Sequence, residues 1–138
     1  MRTSQSNTLE SIDFCGDDKA ARAILDVEAY KKILFEVKGR GVKIRYITEI
    51  TEENINNCRQ LMEFVGEVRH LDGIKANFSI SETEYLASIT VIPVKTVKQV
   101  SHIIHSNVKD IVEQQKYVFE SFWNKAIPAE QRIREVEE

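Results

Sequence analysis

The sequence predicts a mixed α/β fold: one β-sheet flanked by helices in the order β-α-β-α-β-β-β-α, ending in a long C-terminal helix. Three observations carry this. Ile74, Ala76, Phe78 and Ile80 alternate with Lys75, Asn77, Ser79 and Ser81, the period-two signature of a strand buried on one face. Residues 27–37 and 55–65 instead repeat their apolar side chains at helical spacing. Gly16-Asp17-Asp18, the pair Gly39 and Gly41, and Gly73 punctuate the chain where elements must end.

Taken in order, a strand is expected at residues 11–15, with Ile12 and Phe14 on one face. Val27, Tyr30, Ile33, Leu34 and Val37 then define a helix that Asp26 caps and Gly39 and Gly41 terminate. A second strand covers 42–48, where Val42, Ile44 and Tyr46 alternate with Lys43 and Arg45. Thr51 has the character of an N-cap, and Glu52 and Glu53 follow where the helix dipole favours negative charge. Ile55, Cys58, Leu61, Met62 and Val65 are the stripe of this helix, which should end near Arg69-His70. Residues 74–81 form the third strand, 81–83 a turn and 85–92 a fourth strand closed by Pro93. A loop at 94–99 leads to a fifth strand at 100–105. From Asn107 onward Val108, Ile111, Val112, Phe119, Phe122 and Ala126 share one helical face, and Pro128 restarts the helix.

Composition bounds the function. The 138 residues suit one domain, with residues 1–9 a disordered tail, 10–127 the α/β body and 128–138 the start of a signalling or linker helix. Hydrophobic residues make up 42% and charged residues 30%, enough for a core and a solvated surface. A net charge of −3, with Lys95 and Lys98 too few to form a patch, argues against a nucleic-acid partner. DNA binding ranks last also because no helix-turn-helix precedes the first strand. No apolar run reaches the length of a membrane span and residues 1–7 are too polar for a signal peptide, so a cytoplasmic location is expected. Cys15 and Cys58 lack metal spacing and read as reduced core thiols.

The polar residues at element ends between Gly41 and Tyr85 suggest recognition without catalysis. Asp17 and Glu49 follow the first two strands, and parallel pairing would bring them to one sheet edge. Glu49 is expected in a crevice with Arg45 as its partner, and His70 at a helix C-terminus beside that crevice. His102 and His105 should point to opposite faces of their strand and cannot share a metal. No metal, cofactor or nucleophile–base pair is expected.

The strings ITEIT (47–51), SETEY (81–85) and IPAEQRI (127–133), within a longer series from CGDDKA onward, resemble the input domains of archaeal sensor histidine kinases, with Ala76 and His105 as departures. More distantly the element order resembles phospholipase-D-like domains and the effector domains of TrmB-type archaeal regulators. The phospholipase motif H-x-K-x4-D would fall on Lys75, Asn77 and Glu82, without its nucleophilic histidine. The resemblance implies a non-catalytic, ligand-sensing input domain with downstream signalling modules. Its crevice would be built from Asp17, Glu49, Arg69, His70, Asn77, Ser81, Glu82, Tyr85 and Asn107, with Arg69 meeting an anionic small-molecule effector. Ala129, Ile133 and Val136 would form a helical seam between two copies in a homodimer. The alternatives are a phosphodiesterase related to phospholipase D and a dimerisation module without a small ligand.

Overall fold

A computed structural model describes residues 10–88 and 103–138 of the chain. The expectations for residues 1–9, for 89–92, for the loop at 94–99 with Lys95 and Lys98, for His102 and for the Tyr30 side chain lie outside what it describes.

Among the described residues, seven strands form one mixed sheet in the order β6-β5-β4-β1-β2-β3-β7. Strand β1 (Ser11–Gly16) sits in its middle, parallel to β2 (Lys43–Thr48), which is parallel in turn to β3 (Glu67–His70). On its other edge β1 pairs antiparallel with β4 (Asn77–Ile80), followed by β5 (Tyr85–Ser88) and β6 (Ile103–Ser106), each antiparallel to the last. The two-residue strand β7 (Ile127–Pro128) pairs antiparallel with β3.

The helices are α1 (Ala20–Asp26), α2 (Glu28–Gly39), α3 (Ile55–Phe64), α4 (Lys109–Lys125) and α5 (Ala129–Glu137). Strand alternation assigns each its face. Ile44, Tyr46 and Val68 look to one side and pack with Leu34, Cys58, Leu61, Val65, Ala129 and Ile133 from α2, α3, α5 and the segment after α3. Cys15, Ile47 and Ile80 look to the other, where α4 supplies Val112, Phe119 and Trp123. The result is a three-layer domain with a core on each side of the sheet.

The mixed sheet, its flanking helices and the helical C-terminus agree with the sequence pattern, but the strand expected at 74–81 covers only Asn77–Ile80 and β7 divides the expected long C-terminal helix into α4 and α5. Three further local differences have physical causes. The first helix divides: α1 precedes α2, so Asp26 ends a helix and Val27 stands between the two. Thr51 does not cap α3. Residues 52–54 form a turn and Asn54 precedes the helix, because the buried Asn54 side chain folds back to the Thr51 N–H at 2.8 Å. The stretch expected to close that helix, 67–70, is strand β3. With one apolar residue in four positions it carries too little alternation to announce itself.

Close packing where β1 meets α1 depends on a missing side chain. A Cβ on Gly16 would lie 2.6 Å from the Ala20 Cβ and 2.8 Å from the Tyr46 Oη, and both neighbours are buried. Gly16→Ala should therefore destabilise the domain by about 1–3 kcal/mol through overpacking. Urea denaturation checks this; a variant as stable as the parent would show that the β1–α1 junction is looser than these distances imply.

Candidate functional site

Parallel pairing of β1, β2 and β3 brings their carboxyl ends to one edge, with Gly16, Thr48 and His70 in adjacent register. Open α/β sheets place ligands at such an edge. Here the polar groups are knitted to one another. The Thr48 hydroxyl donates to the Asp17 carbonyl at 3.0 Å, and the Leu71 N–H donates to the Thr48 carbonyl at 3.1 Å. The Asp17 N–H donates to Asn77 Oδ1 at 2.8 Å, and Asp17 Oδ1 accepts from the Lys19 N–H at 3.0 Å. Asn54 spans two loops: its Nδ2 donates to the carbonyls of Asp18 and Glu49, both at 2.8 Å, while its Oδ1 accepts from Thr51.

His70 is buried on β3 rather than at a helix end. Its Nδ1 accepts the Ile50 N–H at 2.9 Å, which leaves Nε2 to carry the proton toward Asp72 Oδ1, also at 2.9 Å. Burial and then the Arg132 guanidinium lower its proton affinity below the ordinary histidine value, against the opposing pull of Asp72 and Glu49. Glu49 turns to the β3–β4 loop and accepts the Gly73 N–H at 3.1 Å. Both ring nitrogens of His70 and a carboxylate oxygen of Glu49 are thus used in holding loops.

The nine residues expected to share a crevice fall into three places. Asp17, Glu49, His70 and Asn77 do meet at the carboxyl edge. Arg69 points through the sheet to the α4 side, where its guanidinium stacks 4.0 Å from the centre of the Trp123 ring and donates to the Trp123 carbonyl at 2.9 Å. Ser81, Glu82, Tyr85 and Asn107 lie at the opposite edge, because antiparallel β4 carries the chain back toward the start of β1. There Glu82 accepts the N–H groups of Glu10 and Ser11, and the Ser81 hydroxyl oxygen accepts from Thr83 and Glu84 in the β4–β5 turn. Arg45 does not pair with Glu49. It makes a forked pair with Asp13 at 2.9 and 2.8 Å, reaches Glu120 of α4, and stacks on Phe119 and Trp123. Arg45 and Arg69 thus flank Trp123 and fasten α4 to the sheet.

Nor do Ala129 and Ile133 form an outward seam. Both are buried against Leu61, Val65 and Val68 of the same chain, and Val136 is half-buried. The Arg132 Nε adds a bond to the Ile50 carbonyl at 3.1 Å, and Arg59 of α3 pairs with Glu137. The stripe is narrow because α5 lies across α3 and β3 of its own domain, and β3 is the element that the sequence pattern conceals.

A feature that sequence reading passed over lies elsewhere. From Lys31 to Lys43 the chain carries Lys31, Lys32, Lys38, Arg40 and Lys43 against the single carboxylate of Glu36. Lys32, Lys38, Arg40 and Lys43 are exposed, and among the described residues none of them forms an ion pair. The signal was present as a local charge run; the chain-wide average of −3 hid it.

The chain matches no family model, and no curated protein matches it in sequence. Its fold is similar to that of a solved structure of TrmBL2, an archaeal chromatin protein described as showing a novel mode of DNA binding. The match has a TM-score of 0.61 and 17% identity over 86% of this chain. The chain spans 45% of the length of that protein, and at this identity the likeness establishes the fold. It overturns the expected kinship with sensor-kinase input domains, and with it the effector-sensing and signal-transduction reading; a phospholipase-D-like assignment finds no support either. The strings behind that resemblance have structural work here: ITEIT forms the end of β2 and the loop bonded to Asn54 and His70, and IPAEQRI forms β7 and the buried start of α5. Excluding nucleic acid on net charge also fails, because the neighbour binds DNA and steering depends on local charge. Among the described residues no helix is long and apolar enough to cross a membrane.

Two outcomes test the carboxyl-edge network. Asn54→Ala leaves the Thr51 N–H and the Asp18 and Glu49 carbonyls without these partners and should cost roughly 2–3 kcal/mol in urea denaturation; a loss under half of that would mean water replaces the side chain. For His70, whose folded-state affinity for protons is lowered, the unfolded chain takes up the proton first. Its stabilising contribution is therefore present above the ordinary histidine value of 6.5 and is lost as pH falls below it. His70→Asn, which keeps an acceptor near the Nδ1 position but does not titrate, should flatten that part of the stability–pH curve. An unchanged slope would assign it to other groups.

Proposed function

We propose that this chain is a non-catalytic α/β domain of a DNA-associated protein of the chromatin type. The observation that carries the reading is the likeness of its fold to TrmBL2 over most of its length. Two features of the chain support it. Apart from Lys31, which pairs with Glu28, the cations of the 31–43 run form no ion pair among the described residues, while Arg22, Arg45, Arg59 and Arg132 are each matched to a carboxylate. The acid–base candidate at the carboxyl edge, His70, commits both nitrogens to the fold, which favours a structural role over catalysis there.

A net-acidic domain that meets DNA through a local cation run makes mainly phosphate contacts, so its binding should be sequence-independent, weak and strongly dependent on salt. Fluorescence anisotropy with two labelled duplexes of unrelated sequence checks this. Similar affinities at low ionic strength that fall steeply toward about 200 mM salt are expected. Absence of binding to either duplex at low salt would refute the reading.

A further inference from the structure

We propose that the outward face of α2 and its C-terminal turn form the surface that holds duplex DNA, with Lys32, Lys38 and Arg40 on the phosphates and Phe35 as the apolar contact between them. This rests on the reading of the chain as a DNA-associated domain and says where that contact is made.

Helical spacing puts Lys31, Lys32 and Lys38 around Phe35, four and three residues before it and three after. Phe35 is 65% exposed, far more than an aromatic ring placed for core packing. It is steadied edge-on by Phe64 of α3 at 6.4 Å, and the neighbouring Lys38 Nζ donates to the Glu63 carbonyl, so ring and ammonium sit together above the α2–α3 contact. Lys31 is partly neutralised by Glu28 at 3.0 Å, whereas the other three cations keep their charge available. Carboxylates are present at this surface too: Glu28 and Glu36 are each one turn from Lys32, Glu36 is one turn from Arg40, and Glu63 is the residue whose carbonyl takes the Lys38 ammonium. Lys43 belongs to the opposite face of the sheet, beside Ser11 and the Glu82 carboxylate bonded to it.

The turn between α2 and β2 is open. A Cβ on Gly39 or Gly41 would meet nothing within 4 Å, so among the described residues no side chain is packed over the glycines on either side of Arg40. Helix-dipole stabilisation explains a cation at Lys38 in the last turn, but not Lys32 nearer the start. The lysines of α4 differ: exposed Lys109 and Lys125 and half-buried Lys116 are interspersed with Asp110, Glu113 and Glu120. An apolar group set among cations is also how architectural proteins contact a duplex groove.

The test compares the parent chain, the triple variant K32Q/K38Q/R40Q, Phe35→Ala and an α4 control, K109Q/K116Q/K125Q, all checked for native circular dichroism and thermal unfolding. Binding to a labelled duplex and to a single-stranded oligothymidine is followed across a salt series. Each phosphate contact removed lowers the slope of log affinity against log salt by about 0.9, so the triple variant should lose a slope of about 2–3. Phe35→Ala should weaken duplex binding about tenfold at every salt concentration and leave the slope unchanged. The α4 control should bind as the parent does. If the parent binds but the triple variant retains its slope, or if the α4 control loses it instead, this surface is wrong while the DNA-associated reading stands. A parent that prefers the single strand overturns the duplex assignment, and a parent that binds neither nucleic acid overturns both.

Discussion

The pairing of β1 on both of its edges governs where everything else in this domain can be. Parallel pairing with β2 sends the chain through helices and gathers the loops after β1, β2 and β3 at one edge. Antiparallel pairing with β4 sends the next hairpin the other way, so the β4–β5 turn emerges beside the start of β1. Each edge of the sheet then faces its own polar problem. Backbone groups at the carboxyl edge are satisfied by Thr48, Asn54, His70 and Asn77, and those at the start of β1 by Glu82.

That division explains what was legible in the sequence. Strand β4 was visible because one buried face and one polar face give clean alternation, and α4 because Val112, Phe119 and Phe122 recur at helical spacing. Asp17 and Glu49 could be placed together from the expected parallel pairing alone. Ser81, Glu82, Tyr85 and Asn107 could not be placed, because strand direction in the second half of the sheet is set by tertiary pairing and not by residue pattern. Strand β3 escaped notice because Val68 is its only apolar residue, and α1 because its small alanines pack against Gly16 without a broad stripe. Missing β3 had a further cost: without it α5 has no surface to lie on, and Ala129 and Ile133 look like a seam for a second molecule.

Two arginines show how far context alters the meaning of a residue. Arg45 and Arg69 are candidate anion binders by type, yet both lie on the α4 side of the sheet and bracket the Trp123 ring. Arg45 also carries two carboxylates, Asp13 and Glu120, which join β1, β2 and α4 through one guanidinium. The exposed cations of α2 and β2 have no such assignment among the described residues. The distinction between a charge that fastens the fold and one that remains for a partner is a matter of pairing, and composition does not contain it.

The two cysteines give the layered architecture an unplanned use. Cys15 belongs to the core on the α4 side and Cys58 to the core on the helix-rich side; both are buried and have no disulfide. Burial pushes each thiol up to about 12, so neither presents a reactive thiolate in the closed state at neutral pH. Alkylation of either one then requires that its own layer open. Each side of the sheet therefore carries a separate chemical clock, and the relative labelling rates of Cys15 and Cys58 report whether the two layers come apart together or one before the other.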